Sequence, residues 1–213
     1  MEGGKGMSSK EYILSRLRKN TRETYDFPDL GSIRPITYAD PVAEFKTKTT
    51  TTAGAKLIEL DDENDLNQAI RSIMENLSPS GEAERGLIAS NLPGVEAQLN
   101  PDTVGDVREL MKADVGVIEG CIGVAENACI WIPQQMKEKA VCFASEQLVI
   151  VLHEKDVVSN MHEAYARIST SKEYFQQYKF GTFISGPSKT ADIEGALVYG
   201  AQAARGVTVV LVK

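Results

Sequence analysis

The chain has 213 residues, of which 42% are hydrophobic and 25% are charged, so it is long enough to bury one sizeable core. Its net charge of −7 argues against a nucleic-acid surface or an anionic-membrane surface, since either would require a basic patch. We expect a cytoplasmic protein, because no apolar run approaches the roughly 20 residues of a membrane span and residues 1–7 lack the apolar core of a signal peptide.

The first predicted element is a short helix near the amino terminus. Ser8 and Glu11 form a capping-box pattern ahead of apolar residues at helical spacing, which predicts a helix over residues 9–19. An irregular stretch rich in proline and glycine follows. The threonine run at 49–52 then disfavours a helix by local propensity. We interpret residues 1–55 as an N-terminal helical extension that packs on the core.

From residue 56 onward, predicted strands and helices alternate. Asp62 precedes an apolar stripe at helical spacing, and shorter helices are predicted over residues 106–112 and after a cap at Ser159. Short apolar runs predict strands at 56–60, 87–90, 115–118, 122–124, 129–132, 148–152, 182–185 and 207–212. The runs at 122–124 and 129–132 could pair as a hairpin. This rhythm predicts an α/β domain over residues 56–213, with a mostly parallel sheet flanked by helices.

Polar side chains crowd the turn that follows the strand predicted at 182–185. Gly186 and Pro187 end the strand, and five hydroxyl-bearing or charged residues come next: Ser188, Lys189, Thr190, Asp192 and Glu194. In α/β proteins, such a turn builds a site beyond the carboxyl end of a strand. Three roles remain open for it: a site for a small carboxylate or phosphate ligand at a helix start, a docking surface, or a structural tie in which Asp192 joins the last two strands.

A second candidate is the turn at Glu126 and Asn127, between the two strands of the predicted hairpin. Glu126 could be a structural acceptor of backbone N–H groups or part of a ligand site. Because loops at the same end of a parallel sheet meet, we expect Glu126 and the segment 188–194 to converge in space.

The same residues carry a family resemblance. The run Ser185-Gly186-Pro187-Ser188-Lys189-Thr190-Ala191-Asp192-Ile193-Glu194 resembles the signature of the lactate-utilisation protein C family (LutC/YkgG, LUD domain). A family motif, approximately Ile-Ala-Glu-Thr-Gly-Thr-Leu, is similar to residues 124–130, although Ala128 and Cys129 replace its Gly-Thr pair. The resemblance implies the fold of glucosamine-phosphate deaminases, ribose-5-phosphate isomerases and CoA transferases (NagB/RpiA/CoA transferase-like), and a helix over residues 42–52. In CoA transferases of that fold, a glutamate in a similar turn is the nucleophile, so Glu126 is also a candidate catalytic residue.

The resemblance further implies a function: a subunit or accessory protein of an iron–sulfur L-lactate oxidation system, which converts lactate to pyruvate. Its implied partners are a cysteine-rich iron–sulfur protein and a ferredoxin-like protein with a related LUD domain. We expect the clusters in those partners and no cofactor or metal on this chain, because Cys121, Cys129 and Cys142 are too dispersed for a cluster. The competing class is a stand-alone enzyme of the isomerase/CoA-transferase fold acting on a small phosphorylated or acyl substrate. For either class, the candidate ligand-binding residues are Glu126, Asn127, Ser185, Gly186, Pro187, Ser188, Lys189, Thr190, Asp192 and Glu194.

Overall fold

The computed structural model describes residues 7–23, 25–77, 86–171 and 180–213. The chain divides into two compact units, residues 1–34 and residues 35–213. The first unit contains helix α1, Ser9–Asn20, which begins with the predicted capping box: the Ser8 and Glu11 side chains each accept the other residue's backbone N–H. The predicted domain boundary at residue 55 falls inside the second unit.

The second unit contains the other helices and all the described strands. Its helices are α2 (Pro41–Lys48), α3 (Leu66–Leu77), α4 (Val141–Ala144) and α5 (Met161–Thr170). Its strands are β1 (Lys56–Leu60), β2 (Ile88–Ala89), β3 (Val115–Glu119), β4 (Ile122–Val124), β5 (Cys129–Pro133), β6 (Gln147–His153), β7 (Val157–Val158), β8 (Gly181–Ile184), β9 (Lys189–Ile193), β10 (Ala196–Tyr199) and β11 (Gly206–Val212).

The central sheet of the described chain has the strand order β1-β11-β6-β3-β2, and all its pairs are parallel. Its inner strands are near-continuous apolar runs because both faces of the sheet are buried. On one face, valines of β3, β6 and β11 pack with Ile70 of α3. The predicted α/β class with a mostly parallel central sheet flanked by helices is therefore confirmed.

A second sheet of the described residues, ordered β7-β4-β5-β8, covers the other face of the central sheet. The hairpin predicted between β4 and β5 is confirmed, and β8 also pairs antiparallel to β5. Ile130 and Ile132 of β5 pack toward the central sheet, whereas Trp131 lies on the outer face with Ala164 and Ile168 of α5. Alternate residues of one strand therefore serve two cores, as the period of a β-strand requires.

Two local details differ from simple propensity. Helix α2 continues through a π-helical turn, Thr49–Ala53, so the threonine run is helical as the family resemblance implies. Tertiary packing overrides local propensity here, since Phe45 and Thr49 are buried. The predicted cap of α5 at Ser159 is wrong: Asn160 is the N-cap, and its side chain accepts from the backbone N–H of Glu163 at 3.0 Å.

No helix in the described ranges combines the length and apolar character needed to cross a membrane.

Candidate functional site

Glu126 lies in the turn between β4 and β5 and is held there by three hydrogen bonds. Its backbone N–H donates to the Ser159 carbonyl at 3.0 Å, and its own carbonyl accepts from Lys48 Nζ at 2.9 Å. Its carboxylate Oε1 accepts from the backbone N–H of Met161, the first residue of α5, at 2.9 Å. A carboxylate at a helix N-terminus is stabilised by the unpaired N–H groups there. In this geometry Glu126 acts as a structural acceptor.

The next two residues give the turn its shape. Asn127 Oδ1 accepts from the backbone N–H of Cys129 at 3.1 Å, which closes a local side-chain turn. Ala128 has φ of 53°, the left-handed region that favours glycine. This is the position at which the resembling family motif has glycine, so the departure noted in the sequence places an alanine where the backbone suits glycine better.

Lys48 also contacts this turn, although no sequence motif identified it as a candidate site residue. Besides its bond to Glu126, Lys48 Nζ donates to the Tyr38 hydroxyl at 3.2 Å and pairs with the Glu44 carboxylate at 3.3 Å. The hydrogen bond to Tyr38, with the pair to Glu44, raises the pKa of Lys48 above its usual value. The charge therefore persists through the physiological range and holds α2 against the turn.

The first half of the signature, residues 185–189, ties three distant segments together. Ser185 Oγ donates to the Asn127 carbonyl at 2.9 Å, and the Ser188 backbone N–H donates to the Ala204 carbonyl at 3.0 Å. Lys189 Nζ donates to the Ala53 carbonyl at 2.5 Å. Gly186 has φ of +68°, and a Cβ at this position would collide with the same carbonyl oxygen. Pro187 between them is buried.

These residues form one wall of a cleft of about 380 Å³, which we call the motif cleft. Residues 202–204 also line it, together with Cys142, Phe143, Leu148 and Val207. Leu148 and Val207 lie near the first residues of β6 and β11. The motif cleft is therefore at the amino-terminal edge of the central sheet.

That position corrects the expectation of a site beyond the carboxyl ends of the parallel strands. The rule for parallel sheets applies to strands of one sheet. β8, which leads into the motif, belongs to the second sheet and pairs antiparallel to β5. Its carboxyl end therefore meets the β4–β5 turn and, through Ala53 and Ala204, the opposite edge of the central sheet.

The second half of the signature lies in a separate two-stranded hairpin, β9 and β10, outside the five-stranded and four-stranded sheets; we call residues 190–199 the hairpin arm. Glu194 and Gly195 have φ of 52° and 73°, as in a two-residue hairpin turn. The expected helix start after Ser188 is wrong, because the chain continues as a strand. Thr190 contacts Asp192 at 3.4 Å, and both Asp192 and Glu194 are exposed.

Several apolar side chains of the hairpin arm are largely exposed. Ile193, Leu197 and Tyr199 retain 53%, 59% and 46% of their accessible surface. An isolated two-stranded hairpin is only marginally stable in water, and large contiguous apolar patches are a common mark of interaction sites. The structure thus joins Glu126 and Asn127 to Ser185, and it places Asp192 and Glu194 on the arm; a site shared by Glu126 and Asp192 stays a prediction.

The three thiols lie in environments that suppress reactivity. Burial raises the pKa of Cys121 to about 12, with smaller contributions from the Glu119 and Asp156 charges, and burial raises the pKa of Cys142 to about 12. Burial also raises the pKa of Cys129; a hydrogen bond with Ser185 opposes this shift, and the Glu126 charge adds to it. Within the described ranges, no group of three or more His, Cys, Asp or Glu side chains is placed to hold a metal ion.

The two stacked sheets, tied together by the signature, define an α/β domain. Comparison with known proteins shows its family. The LUD domain profile matches residues 42–212, so the chain belongs to the LUD domain family. A crystal structure of a DUF162 family protein from Deinococcus radiodurans superposes with a TM-score of 0.59 at 15% identity, covering 84% of this chain and 100% of that one. At that identity the likeness shows the fold alone. A search of curated proteins found no significant match.

Proposed function

We propose that this protein is a non-redox subunit or accessory factor of an iron–sulfur L-lactate oxidation system. The family is associated with lactate utilisation, and the chain matches the LUD domain over residues 42–212. In this proposal the iron–sulfur clusters lie in two partners: a cysteine-rich protein and a ferredoxin-like LUD protein. The buried or half-buried environments of Cys121, Cys129 and Cys142 suit packing rather than cluster ligation.

The exposed hairpin arm is the observation that carries the proposal. The signature that runs from Ser185 to Glu194 uses its first half to fix the backbone and presents its second half to solvent. Ile193 and Leu197 on the arm are largely exposed, with the carboxylates of Asp192 and Glu194 beside them. An apolar strip beside charged groups is the anatomy of a protein interface, with an apolar centre and a polar rim. The arm therefore fits a role in docking a partner.

The alternative is a stand-alone enzyme of the isomerase/CoA-transferase fold, and the motif cleft favours it. Its volume of about 380 Å³ is in the range of small-molecule sites. The nucleophile suggested for that class fits less well, because a nucleophilic carboxylate must be placed against its substrate. The Glu126 carboxylate instead caps α5 through the Met161 N–H.

Growth on L-lactate tests the proposal. A strain lacking this gene should fail to grow on L-lactate as sole carbon source and should recover with the wild-type chain. The double variant Ile193→Ser/Leu197→Ser should not restore growth, whereas Val107→Ser, which changes another exposed apolar residue away from the arm, should restore it. Normal growth of the deletion strain on L-lactate would reject the proposal and leave the stand-alone enzyme ahead.

A further inference from the structure

A second cleft lies at the opposite, carboxyl-terminal edge of the central sheet. It has a volume of about 220 Å³, and its lining includes Glu63, Leu66, Leu92, Glu119, Val151 and His153. Glu119 and His153 are the last residues of β3 and β6. We call it the carboxyl-edge cleft. No residue of the signature lines it.

The path of the chain opens a crevice at this position. After β2, the chain passes over the α3 face of the sheet, where Leu92 and Val95 pack in the same core as Ile70. After β3, the chain instead enters the second sheet on the other face, at β4. Neighbouring strands whose connections leave toward opposite faces form a crevice at their carboxyl ends, and ligands of open α/β sheets bind in such crevices.

The strand register points two polar side chains into this crevice. Val117 of β3 and Val151 of β6 face α3, so Glu119 and His153, each two residues further along its strand, face the same side. Glu63, just before α3, brings its Oε1 to 2.9 Å from His153 Nε2. Two carboxylates and one imidazole therefore converge above an apolar floor of Leu66, Leu92 and Val151.

The charge of the cleft selects its ligand. None of the described lining residues is a lysine or an arginine. Two cations near this edge are held by other carboxylates: Lys46 pairs with Glu59 at 2.8 Å and Glu154 at 2.6 Å, and Lys213 pairs with Asp61 at 2.6 Å. A small anion, including lactate, would meet two negative charges here, whereas a cation would meet its complement.

We propose that the carboxyl-edge cleft binds a small alkylammonium ligand. The ammonium group donates to the carboxylates of Glu63 and Glu119, which accept charge-assisted hydrogen bonds. The aliphatic part of the ligand packs on Leu66, Leu92 and Val151. This site is separate from the motif cleft and from the hairpin arm, so it does not depend on the function proposed above.

The two histidines of the chain provide the measurement, with 1,4-diaminobutane as the probe. In proton–carbon NMR spectra of the imidazole rings, His153 reports on the cleft. His162, exposed on α5 beyond the second sheet, reports on non-specific effects. We expect 1,4-diaminobutane at constant pH and ionic strength to shift the His153 resonances in a saturable way and to leave those of His162 unchanged. The uncharged 1,4-butanediol and the anion L-lactate should shift neither.

Two variants decide the outcome. Glu119→Gln should weaken the apparent affinity for 1,4-diaminobutane at least about tenfold, because it removes one charged acceptor. Glu146→Gln, the same change at the amino-terminal edge of the sheet, should leave the affinity unchanged. The proposal is overturned if His153 does not respond to the diamine, if the two variants bind it equally well, or if L-lactate produces the saturable shift instead.

Discussion

The two halves of the signature differ in what surrounds them. Residues 185–189 hydrogen-bond to the carbonyls of Asn127, Ala53 and Ala204, and Pro187 is buried. Most of residues 190–194 are exposed on the hairpin arm, which lies outside the five-stranded and four-stranded sheets. The first half has a structural account that requires no ligand. The second half is mostly exposed, and this difference supports the proposal that the arm meets another molecule.

The largest loss of stability is expected from a substitution in residues 185–189, which we call the anchoring half. A matched pair of glycines tests this expectation. Gly186 and Gly195 both have positive φ, but a Cβ meets the Ala53 carbonyl at Gly186 and nothing within 4 Å at Gly195. Gly186→Ala should lower the free energy of unfolding by at least about 3 kcal/mol, combining backbone strain and overpacking. Gly195→Ala should cost only about 1 kcal/mol, from strain alone. Urea unfolding measures both, and equal losses would remove the distinction between anchor and arm.

Alkaline pH provides the next test, through the thiol that lines the motif cleft. The folded pKa of Cys142 is about 12, above its usual value of 9.0, because burial disfavours the thiolate. The protonated thiol therefore contributes stability that is complete below about pH 9 and is lost as pH rises toward 12. Between pH 9 and pH 10 the wild type should lose about 1 kcal/mol more than Cys142→Ala. Parallel curves for the two proteins across this interval would mean that the cleft wall is open to water.

A substitution at Ser185 tests a single hydrogen bond of the anchoring half. Ser185→Ala removes the hydrogen bond to the Asn127 carbonyl and should cost about 1 kcal/mol. Thr190→Ala, which loses only two 3.4 Å contacts to Asp192 on the arm, should change stability by less than about 0.5 kcal/mol. Chemical denaturation of the two variants side by side makes the comparison. An effect of Thr190→Ala as large as that of Ser185→Ala would contradict it.

The smallest effect on stability is expected on the arm itself. Asp192→Asn and Leu197→Ser alter exposed side chains, so each should shift the free energy of unfolding by no more than about 0.5 kcal/mol. Thermal unfolding of the isolated protein is the measurement. A loss of several degrees in melting temperature with Asp192→Asn would instead make Asp192 a structural acceptor and would favour the tie between strands considered from the sequence.

The strands were predictable because burial on both faces leaves a clear mark in the sequence. The apolar runs of β6 and β11 could be identified directly, and the polar pair Glu126-Asn127 separated β4 from β5. The sequence of the hairpin arm favours a helix start instead, since Ser, Thr and Asp after a Gly-Pro turn are typical of both structures. Glu194-Gly195 between two short runs was the overlooked hairpin signal.

The location of the candidate site could not be predicted in the same way. The correct edge of the sheet depends on β8 joining the second sheet, and strand partnership over long sequence separations leaves no local mark. Lys48 reaches Glu126 from 78 residues away, in a helix whose sequence shows only an ordinary basic last turn. The pairing of His153 with Glu63 could not be predicted either, because the two residues lie on different elements.

The most direct test of the account is the affinity of this chain for the cysteine-rich iron–sulfur protein proposed as its partner. The wild type and Val107→Ser should bind that partner equally at low ionic strength, where polar contacts are least screened. Ile193→Ser/Leu197→Ser should bind at least about tenfold more weakly, with an unchanged melting temperature, because the buried centre of an interface carries most of its binding energy. Undiminished binding by the double variant would contradict the assignment of the hairpin arm as the docking surface.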